Sequence, residues 1–325
     1  LDRFLEAAIE VDVDALCDGK DVFVGGILEH IEMAGIHSGD SACCTPPFSL
    51  SLSLQGQLRD IARRLALRLG VVGLLNIQFA IKDQVIYVIE ANPRASRTVP
   101  FVSKSTGVPL AKIAAPIMAG EKLADLHLPA DDREFDYFCV KEAVMPFGRF
   151  PGSDVVLGPE MKSTGEVMGI AGNFPAAFTK TQLAIDYEPP RGGEVFISVN
   201  DGDKRNITAI ARSIARLGFS LVATTGTARA LRASGIECEE VGKIHAGSHT
   251  ILDRIASGEI VLMINTPFGS STNTDGYEMR AACVRHGVSY CTTLAGAQAL
   301  IAGMEAVRET GLDVIALQDL PQWEG

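Results

Sequence analysis

The sequence predicts an α/β protein in two parts: an α+β portion with an antiparallel sheet, then a doubly wound, parallel five-stranded domain. Three observations lead there. Residues 74–81 and 85–89 are strand-like runs separated only by Lys82-Asp83-Gln84, a hairpin signal. Beyond Gly192, strand-like and helix-period runs alternate one for one, which demands crossover connections and parallel pairing. Between the two, Tyr187-Glu188-Pro189-Pro190-Arg191-Gly192-Gly193 is Pro/Gly punctuation that puts a domain boundary at 188/189.

The elements follow in order. Glu10-Val11-Asp12-Val13-Asp14 alternates acid and apolar residues, so its three acids share one strand face, by default a solvated one. Residues 22–30 read as a strand entered through the turn Asp18-Gly19-Lys20-Asp21. Leu58, Ile61, Ala62, Leu65 and Leu69 recur at helical spacing, and Gly70 closes that helix. With a three-residue loop in the hairpin, Ile81 faces Val85, Asn76 lies opposite Glu90, and Gln78 opposite Val88. Asn76, Gln78 and Glu90 then project from one face. In the second part, residues 195–199, 219–223, 260–264 and 288–290 are strands. Ile207, Ile210, Ala211, Ile214 and Leu217 mark the buried face of the first helix, which stops at Gly218. Ligands of such sheets bind at the carboxyl ends of the strands.

Composition narrows the function. The 325 residues are 47% hydrophobic and 21% charged, enough apolar material for packed cores and against disorder. A net charge of −11 argues against nucleic-acid or anionic-membrane partners. No apolar run approaches the ~20 residues of a membrane-spanning helix. The seven cysteines show no CxxC and no framework spacing, which fits reduced thiols in a cytoplasmic setting.

Asn76, Gln78 and Glu90 sit inside hydrophobic runs, where a polar group must find partners. Directly after them comes Ala91-Asn92-Pro93-Arg94-Ala95-Ser96-Arg97. A carboxylate and carboxamide oxygens are hard ligands of the kind Mg²⁺ accepts beside phosphate oxygens. Two arginines can hold phosphoryl oxygens in bidentate fashion. The same residues also describe an exposed strand edge with a solvated turn. Upstream, the run from Glu32 to Ser41 combines glycines, His37, hydroxyls and acids, as a nucleotide-lining loop or an ordinary polar loop does. In the second part Thr224-Thr225-Gly226-Thr227 opens a helix straight after a strand. That arrangement serves as a phosphate cradle or as a plain helix cap. Lys204, Lys243 and the strand-end run Asn265-Thr266-Pro267-Phe268-Gly269 complete a candidate anion pocket.

Together with Glu29-His30-Ile31-Glu32, Thr98-Val99-Pro100-Phe101-Val102-Ser103-Lys104, Lys141-Glu142 and Leu157-Gly158-Pro159-Glu160-Met161-Lys162-Ser163-Thr164-Gly165-Glu166-Val167-Met168-Gly169, these motifs carry a resemblance. In order and end to end, they are similar to the carboxy-terminal synthetase half of carbamoyl phosphate synthetase large subunits. The region from Gly192 onward resembles the methylglyoxal-synthase-like allosteric domain of the same subunit. The resemblance implies an ATP-grasp portion over 1–188 and an effector domain over 189–325. It implies glutamine-dependent carbamoyl phosphate synthesis for pyrimidine and arginine biosynthesis, with ATP phosphorylating carbamate and Mg²⁺ or Mn²⁺ and K⁺ as further cofactors.

Carried over by position, Gln78, Glu90 and Asn92 would bind the divalent metals. Arg94 and Arg97 would engage phosphate, Arg94 as the catalytic residue of the pair. Glu10 would meet the ribose, and Gly35, Ile36, His37 and Ser38 would line the nucleotide site, with Gln78 and Glu90 also on the ATP side. Lys204, Thr224, Thr227, Lys243, Asn265 and Thr266 would contact inhibitory UMP or activating IMP. Ornithine would meet Glu32, Asp40, Glu142, Asp275 and Thr292; Cys291 stands where some relatives have aspartate, and Pro267 where they have threonine. The family's partner is a glutamine amidotransferase small subunit, in a homo-oligomer of heterodimers. The family's glycine-rich phosphate lid has no counterpart here, and the chain opens on Leu1 rather than methionine. A truncated module is therefore expected, one that binds UMP or IMP but is inactive by itself. A purely regulatory module and another ATP-grasp ligase such as a biotin carboxylase are the alternatives; the second part argues against the ligase.

Overall fold

The computed structural model describes residues 5, 8–149, 154–242, 250–266 and 273–321, which form two compact units. The first comprises Leu1–Ala143, Glu166–Thr181 and Leu312–Gly325; the second comprises Val144–Gly165 and Gln182–Gly311. The chain thus passes between the units more than once, rather than only at the Pro/Gly punctuation.

In the first unit, β1 (Ile9–Asp18), β2 (Val22–Met33), β3 (Cys43–Thr45), α1 (Leu52–Arg68), β4 (Val72–Lys82) and β5 (Val85–Asn92) come first. Then follow α2 (Val99–Thr106), α3 (Leu110–Met118), β6 (Phe138–Val144), β7 (Gly165–Ala171) and α4 (Phe174–Ala184). The strands make one seven-stranded sheet in the order β5-β4-β1-β2-β3-β6-β7. Side chains alternate across a strand, and the two faces carry separate cores. Val11, Val13, Leu75, Ile77 and Phe79 pack with Leu54, Leu58, Ala62 and Ala66 of α1. Leu16 and Leu28 pack instead with Phe101, Val102, Leu110, Ile113 and Ile117 of α2 and α3. Leu58, Ile61, Ala62 and Leu65 of the helical spacing are therefore on the α1 contact face, whereas Leu69 caps the helix and is exposed, and Gly70 closes it in the left-handed region at φ 62°.

The hairpin differs from its expected register. Lys82 pairs with Val85, so the turn is only Asp83-Gln84, with φ of 50° and 64°. Two consecutive positive φ values are the tight turn whose twist suits a two-residue hairpin. Ladder pairs run Ile81–Ile86, Ala80–Tyr87 and Phe79–Val88; a bulge follows, after which Gln78 meets Glu90 and Asn76 meets Asn92. The shorter turn and the bulge each shift the pairing by one residue in the same direction. Asn76 faces Asn92 rather than Glu90, and Gln78 faces Glu90 rather than Val88. The two shifts together preserve the face, so Asn76, Gln78, Glu90 and Asn92 still project together.

A second correction concerns Glu10, Asp12 and Asp14. They share a face as the alternation requires, but all three are buried rather than solvated. The reason is that this face is covered: the Gly35 amide meets Glu10, His30 stands against Asp12, and Ser96 and Thr98 lie on Asp14.

The second unit is built from β8 (Glu194–Ser198), α5 (Ile207–Arg216), β9 (Ser220–Thr224), α6 (Thr225–Ala233), β10 (Glu239–Val241) and α7 (Ile251–Ala256). It continues with β11 (Ile260–Asn265), α8 (Asn273–His286), β12 (Ser289–Cys291) and α9 (Leu294–Thr310). All ladder pairs recorded here are parallel, in the order β10-β9-β8-β11-β12. Ile207, Ile210, Ala211 and Ile214 are the buried face of α5, as their spacing requires. Phe196, Val222, Met263, Ile255 and Cys283 belong to one core. The chain winds outward from β8 to β9 and β10, then returns to the other side of β8 with β11. The strand order therefore reverses between β8 and β11, where ligands of open parallel sheets bind at the strand ends.

Candidate functional site

The polar face of the seven-stranded sheet is organised around β1. Asp12 lies opposite Gln78 and Asp14 opposite Asn76 on β4. Asn76 donates from Nδ2 to Asp12 Oδ1 at 3.3 Å and to Asp14 Oδ1 at 3.0 Å. Asp14 also accepts from Ser96 at 2.7 Å and Thr98 at 2.5 Å. Asp12 Oδ2 and His30 Nε2 stand 2.8 Å apart, both nearly inaccessible. Burial pushes the Asp14 carboxyl up to about 6, against the lowering pull of the Thr98 and Ser96 hydroxyls. Burial works against a charged His30, but the hydrogen bond and charge of Asp12 outweigh it and raise its pKa. Glu10 is raised by burial too; its Oε2 accepts from the Gly35 amide at 3.3 Å.

On β5 the side chains reach solvent. Asn92 Nδ2 donates to Glu90 Oε1 at 2.8 Å, and Arg94 Nη2 lies 3.5 Å from Asn92 Oδ1. The Arg94 amide bonds back to the Asn92 carbonyl at 2.7 Å, a tight turn that puts the guanidinium beside the two ligand candidates. Arg94 and Arg97 are both exposed. Gln78, Glu90 and Asn92 therefore present one carboxylate and two carboxamides, all oxygen donors of the hardness Mg²⁺ or Mn²⁺ takes. A set this poor in protein charge suits an ion that also keeps phosphate oxygens and water. No cluster of three or more His, Cys, Asp or Glu fit to hold a metal occurs among the described residues.

The loop after β2 is fixed from within. His37 Nδ1 accepts from the Gly39 amide at 3.0 Å, and the His37 carbonyl accepts from Asp40 and Ser41. Glu32 Oε2 accepts from Ser41 Oγ at 2.8 Å and the Ala42 amide at 2.7 Å, and burial raises its pKa. The buried Lys141 of β6 donates to the Ser38 carbonyl at 3.3 Å. Gly35, Ile36, His37 and Ser38 thus form one ordered edge beside Glu10. Glu32, Asp40 and Glu142 belong to this first unit, whereas Asp275 on α8 and Thr292 after β12 belong to the second.

In the second unit the strand ends converge on Ser198. Its carbonyl accepts from the Thr266 amide at 3.2 Å and from Asn265 Nδ2 at 3.1 Å, and its hydroxyl accepts from Thr224 at 3.3 Å. Thr227 Oγ1 accepts from the Val199 amide at 3.2 Å and from Thr224 at 3.4 Å. Thr266 Oγ1 accepts from Asn200 N and Nδ2, both at 3.1 Å. Lys204 pairs with Asp201 and lies over the start of α6, where a Cβ on Gly226 would stand 2.9 Å from its Nζ. Lys204, Thr224, Thr227, Asn265 and Thr266 therefore gather at the strand-order reversal. Lys243 and Pro267 lie outside the described residues.

Sequence reasoning did not single out Asp12, Asp14, His30, Ser96 or Thr98 as one network, nor Arg280 and Asp154 in the second unit. For the first group the alternation with Glu10 was the available signal; for Arg280 there was none.

A face of hard oxygens beside arginines on one sheet, and a hydroxyl-rich cradle at the strand ends of another, characterise an α/β chain in two parts. Comparison with known proteins makes this specific. Residues 1–126 match the family described as carbamoyl-phosphate synthase L chain, ATP binding domain, and residues 206–292 match the MGS-like domain. The chain is about 50% identical, throughout, to the carboxy-terminal portion of carbamoyl phosphate synthase large chains. Identity is 52% over 328 residues with that of Methanothermobacter thermautotrophicus, covering 100% of this chain and 30% of the relative. It is 53% over 320 residues with that of Archaeoglobus fulgidus, covering 98% and 30%. The chain thus spans about 30% of the length of these relatives. Among solved structures, the biotin carboxylase domain of a single-chain bacterial carboxylase aligns with a TM-score of 0.47 and 19% identity, over 56% of this chain and 48% of that one. No helix among the described residues is long and apolar enough to cross a membrane.

Proposed function

We propose that this chain supplies the distal part of the surface on which a carbamoyl phosphate synthase large chain phosphorylates carbamate with ATP, and that the residues after 188 read regulatory nucleotides. The observation that carries the reading is the cross-strand meeting of Gln78 with Glu90, and of Asn76 with Asn92, beside Arg94. Gln78, Glu90 and Asn92 would hold Mg²⁺ or Mn²⁺, which neutralises charge on the phosphate oxygens. K⁺ would be a further cofactor.

Arg94, supported by Arg97, would hold the oxygens of the transferring phosphoryl group, because phosphoryl transfer needs positioning and charge stabilisation more than covalent chemistry. Glu10, oriented by the Gly35 amide, would accept from a ribose hydroxyl, with Gly35, Ile36, His37 and Ser38 along the nucleotide. In the second unit Lys204, Thr224, Thr227, Lys243, Asn265 and Thr266 would meet UMP or IMP. Of the residues the resemblance assigns to ornithine, Glu32, Asp40 and Glu142 of the first unit would meet its cationic groups. The implied setting is the cytoplasm, with a glutamine amidotransferase small subunit as partner in a homo-oligomer of heterodimers.

The test is a graft of this chain into the Methanothermobacter thermautotrophicus large chain in place of the homologous stretch, assayed for carbamoyl phosphate. Glu90→Ala and Arg94→Ala should each lower turnover by roughly 10²- to 10³-fold. Parent rates in both variants would sink the assignment. The 325-residue chain alone should bind UMP or IMP and show negligible turnover.

A further inference from the structure

Arg280 of α8 is a fully enclosed side chain, 1% exposed, in a unit whose other arginines mostly face solvent. Its Nε and Nη2 donate to the two carboxylate oxygens of Asp154 at 2.8 and 2.6 Å, and its Nη1 donates to Asn265 Oδ1 at 2.8 Å. Gly276, one turn earlier, leaves the space for this: a Cβ there would stand 2.8 Å from Nη1 and 3.3 Å from Asn265 Oδ1. Asn265 meanwhile donates to the Ser198 carbonyl at 3.1 Å. The amide is therefore held at both ends, with its orientation set by the guanidinium and its second N–H able to meet an incoming oxygen acceptor.

Asp154 is itself anchored within the stretch 154–165. Its Oδ1 accepts from the Val156 amide at 3.2 Å, while Lys162 Nζ donates to the carbonyls of Asp154 at 3.0 Å and Val156 at 2.8 Å. That stretch runs directly into β7 of the seven-stranded sheet. The guanidinium is enclosed while Asp154 is partly exposed, and its planar donors join two separate partners, the Asp154 carboxylate and the Asn265 amide, in one fixed geometry.

We infer that Arg280 is a positioning residue of the effector cradle, fixing the Asn265 amide toward a nucleoside monophosphate at the ends of β8 and β11, and that Asp154 holds it in that duty. The inference rests on the effector reading proposed above. Effector affinity then depends on how the stretch 154–165 is seated, so the strand lead-in and the nucleotide report on each other.

Calorimetric titration of the 325-residue chain with UMP and with IMP tests this, with melting temperature read in parallel. Arg280→Met and Asp154→Asn should each weaken binding roughly tenfold, a change of about 1.4 kcal/mol. The double variant Asp154→Leu/Arg280→Met should recover melting temperature through apolar packing but leave affinity weak, because nothing then orients Asn265. Recovery of affinity together with melting temperature would mean a merely structural pair and overturn the inference; so would parent affinity in both single variants. If the single variants do not fold, the double variant decides on the same criterion. Thr227→Ala separates the two levels. Weakened binding there with parent affinity in Arg280→Met leaves the effector reading standing and removes only this inference. A parent chain that binds neither nucleotide removes both.

Discussion

The two sheets of this chain make their sites by different means. In the seven-stranded antiparallel sheet, the site is a face: Asp12, Asp14, Asn76, Gln78, Glu90 and Asn92 come together because ladder register sets which side chains stand opposite. In the five-stranded parallel sheet, the site is an end: Ser198, Thr224, Asn265 and Thr266 come together because β8, β9 and β11 stop at one level. A face is sensitive to a one-residue slip, which sends every side chain to the other side. An end depends on topology, and recruits backbone groups and hydroxyls that need no alternation. Acidic groups accordingly concentrate on the face, whereas the end is lined mainly by neutral ones.

The largest expected effect is on the exposed part of the face. Arg94→Ala in the grafted synthetase should cost roughly 10²- to 10³-fold in turnover while leaving folding stability within about 0.5 kcal/mol of the parent, as for other exposed substitutions. The same catalytic loss accompanied by a large fall in stability would show that Arg94 supports the fold instead. No residue of the parallel sheet should behave this way.

Next comes Asp14, buried in the middle of the same face with its carboxyl held up at about 6 rather than 3.8. Between those values the folded chain keeps a proton that the unfolded chain has lost. Stability therefore falls as pH rises from about 4 to 6, by about 3 kcal/mol in all. Asp14→Asn keeps one of the two oxygens that the Ser96 and Thr98 hydroxyls meet, turns the hydroxyl facing its new amide into an acceptor, and abolishes the titration. Chemical denaturation at pH 4, 5, 6 and 7 should show the variant gaining on the parent with each step. Parallel stability curves would mean that Asp14 ionises freely and that the face is wetter than its packing indicates.

Much of this organisation could be read from the chain, and the hairpin shows how. The shared face of Asn76, Gln78 and Glu90 was legible because two departures add to an even shift that keeps the face: the turn is one residue shorter than the loop Lys82-Asp83-Gln84, and the bulge after Val88 moves the pairing one residue further the same way. Neither carries a strong sequence signal, since positive φ at Asp83 and Gln84 is not demanded by residue type. The burial of Glu10, Asp12 and Asp14 was hidden because alternation fixes which residues share a face, not that Gly35, His30, Ser96 and Thr98 come to lie over it. In the parallel unit, Thr224, Thr227, Asn265 and Thr266 were legible from their places at strand ends. Arg280 was not, because the need for a buried guanidinium arises only when Asp154, 126 positions away, folds against it.

A smaller effect is expected at Thr227, buried at the start of α6, where its hydroxyl accepts from the Val199 amide. Thr227→Ala leaves that amide without its acceptor and should cost about 1–2 kcal/mol of stability, with UMP affinity down roughly fivefold in calorimetry. Unchanged affinity would move the cradle away from the β8 and β9 ends. The contrast with Arg94 lies in the coupling: at the end of a parallel sheet the binding group is also a packing group, so stability and affinity should fall together.

Deleting Ile89 should have the smallest effect, and it probes register most directly. Ile89 is the extra residue of the bulge, 56% exposed on the edge strand β5, so removing it forfeits little apolar burial. Without it the ladder closes up regularly from the turn: Phe79 keeps Val88, and the glutamate, now next in sequence, keeps its place opposite Gln78. The asparagine likewise stays opposite Asn76. Stability should change by no more than about 1 kcal/mol, the scale of a local edge-strand adjustment, and turnover of the grafted synthetase should remain within about tenfold of the parent. Deleting Ala91 is the matched control, because it keeps Glu90 opposite Gln78 but slides the asparagine opposite Ile77, onto the core face. That deletion should lower turnover toward the level of Arg94→Ala. Were the two deletions to cost the same, opposition across the ladder could not be what assembles this face, and the contrast between a site made by register and one made by strand ends would collapse.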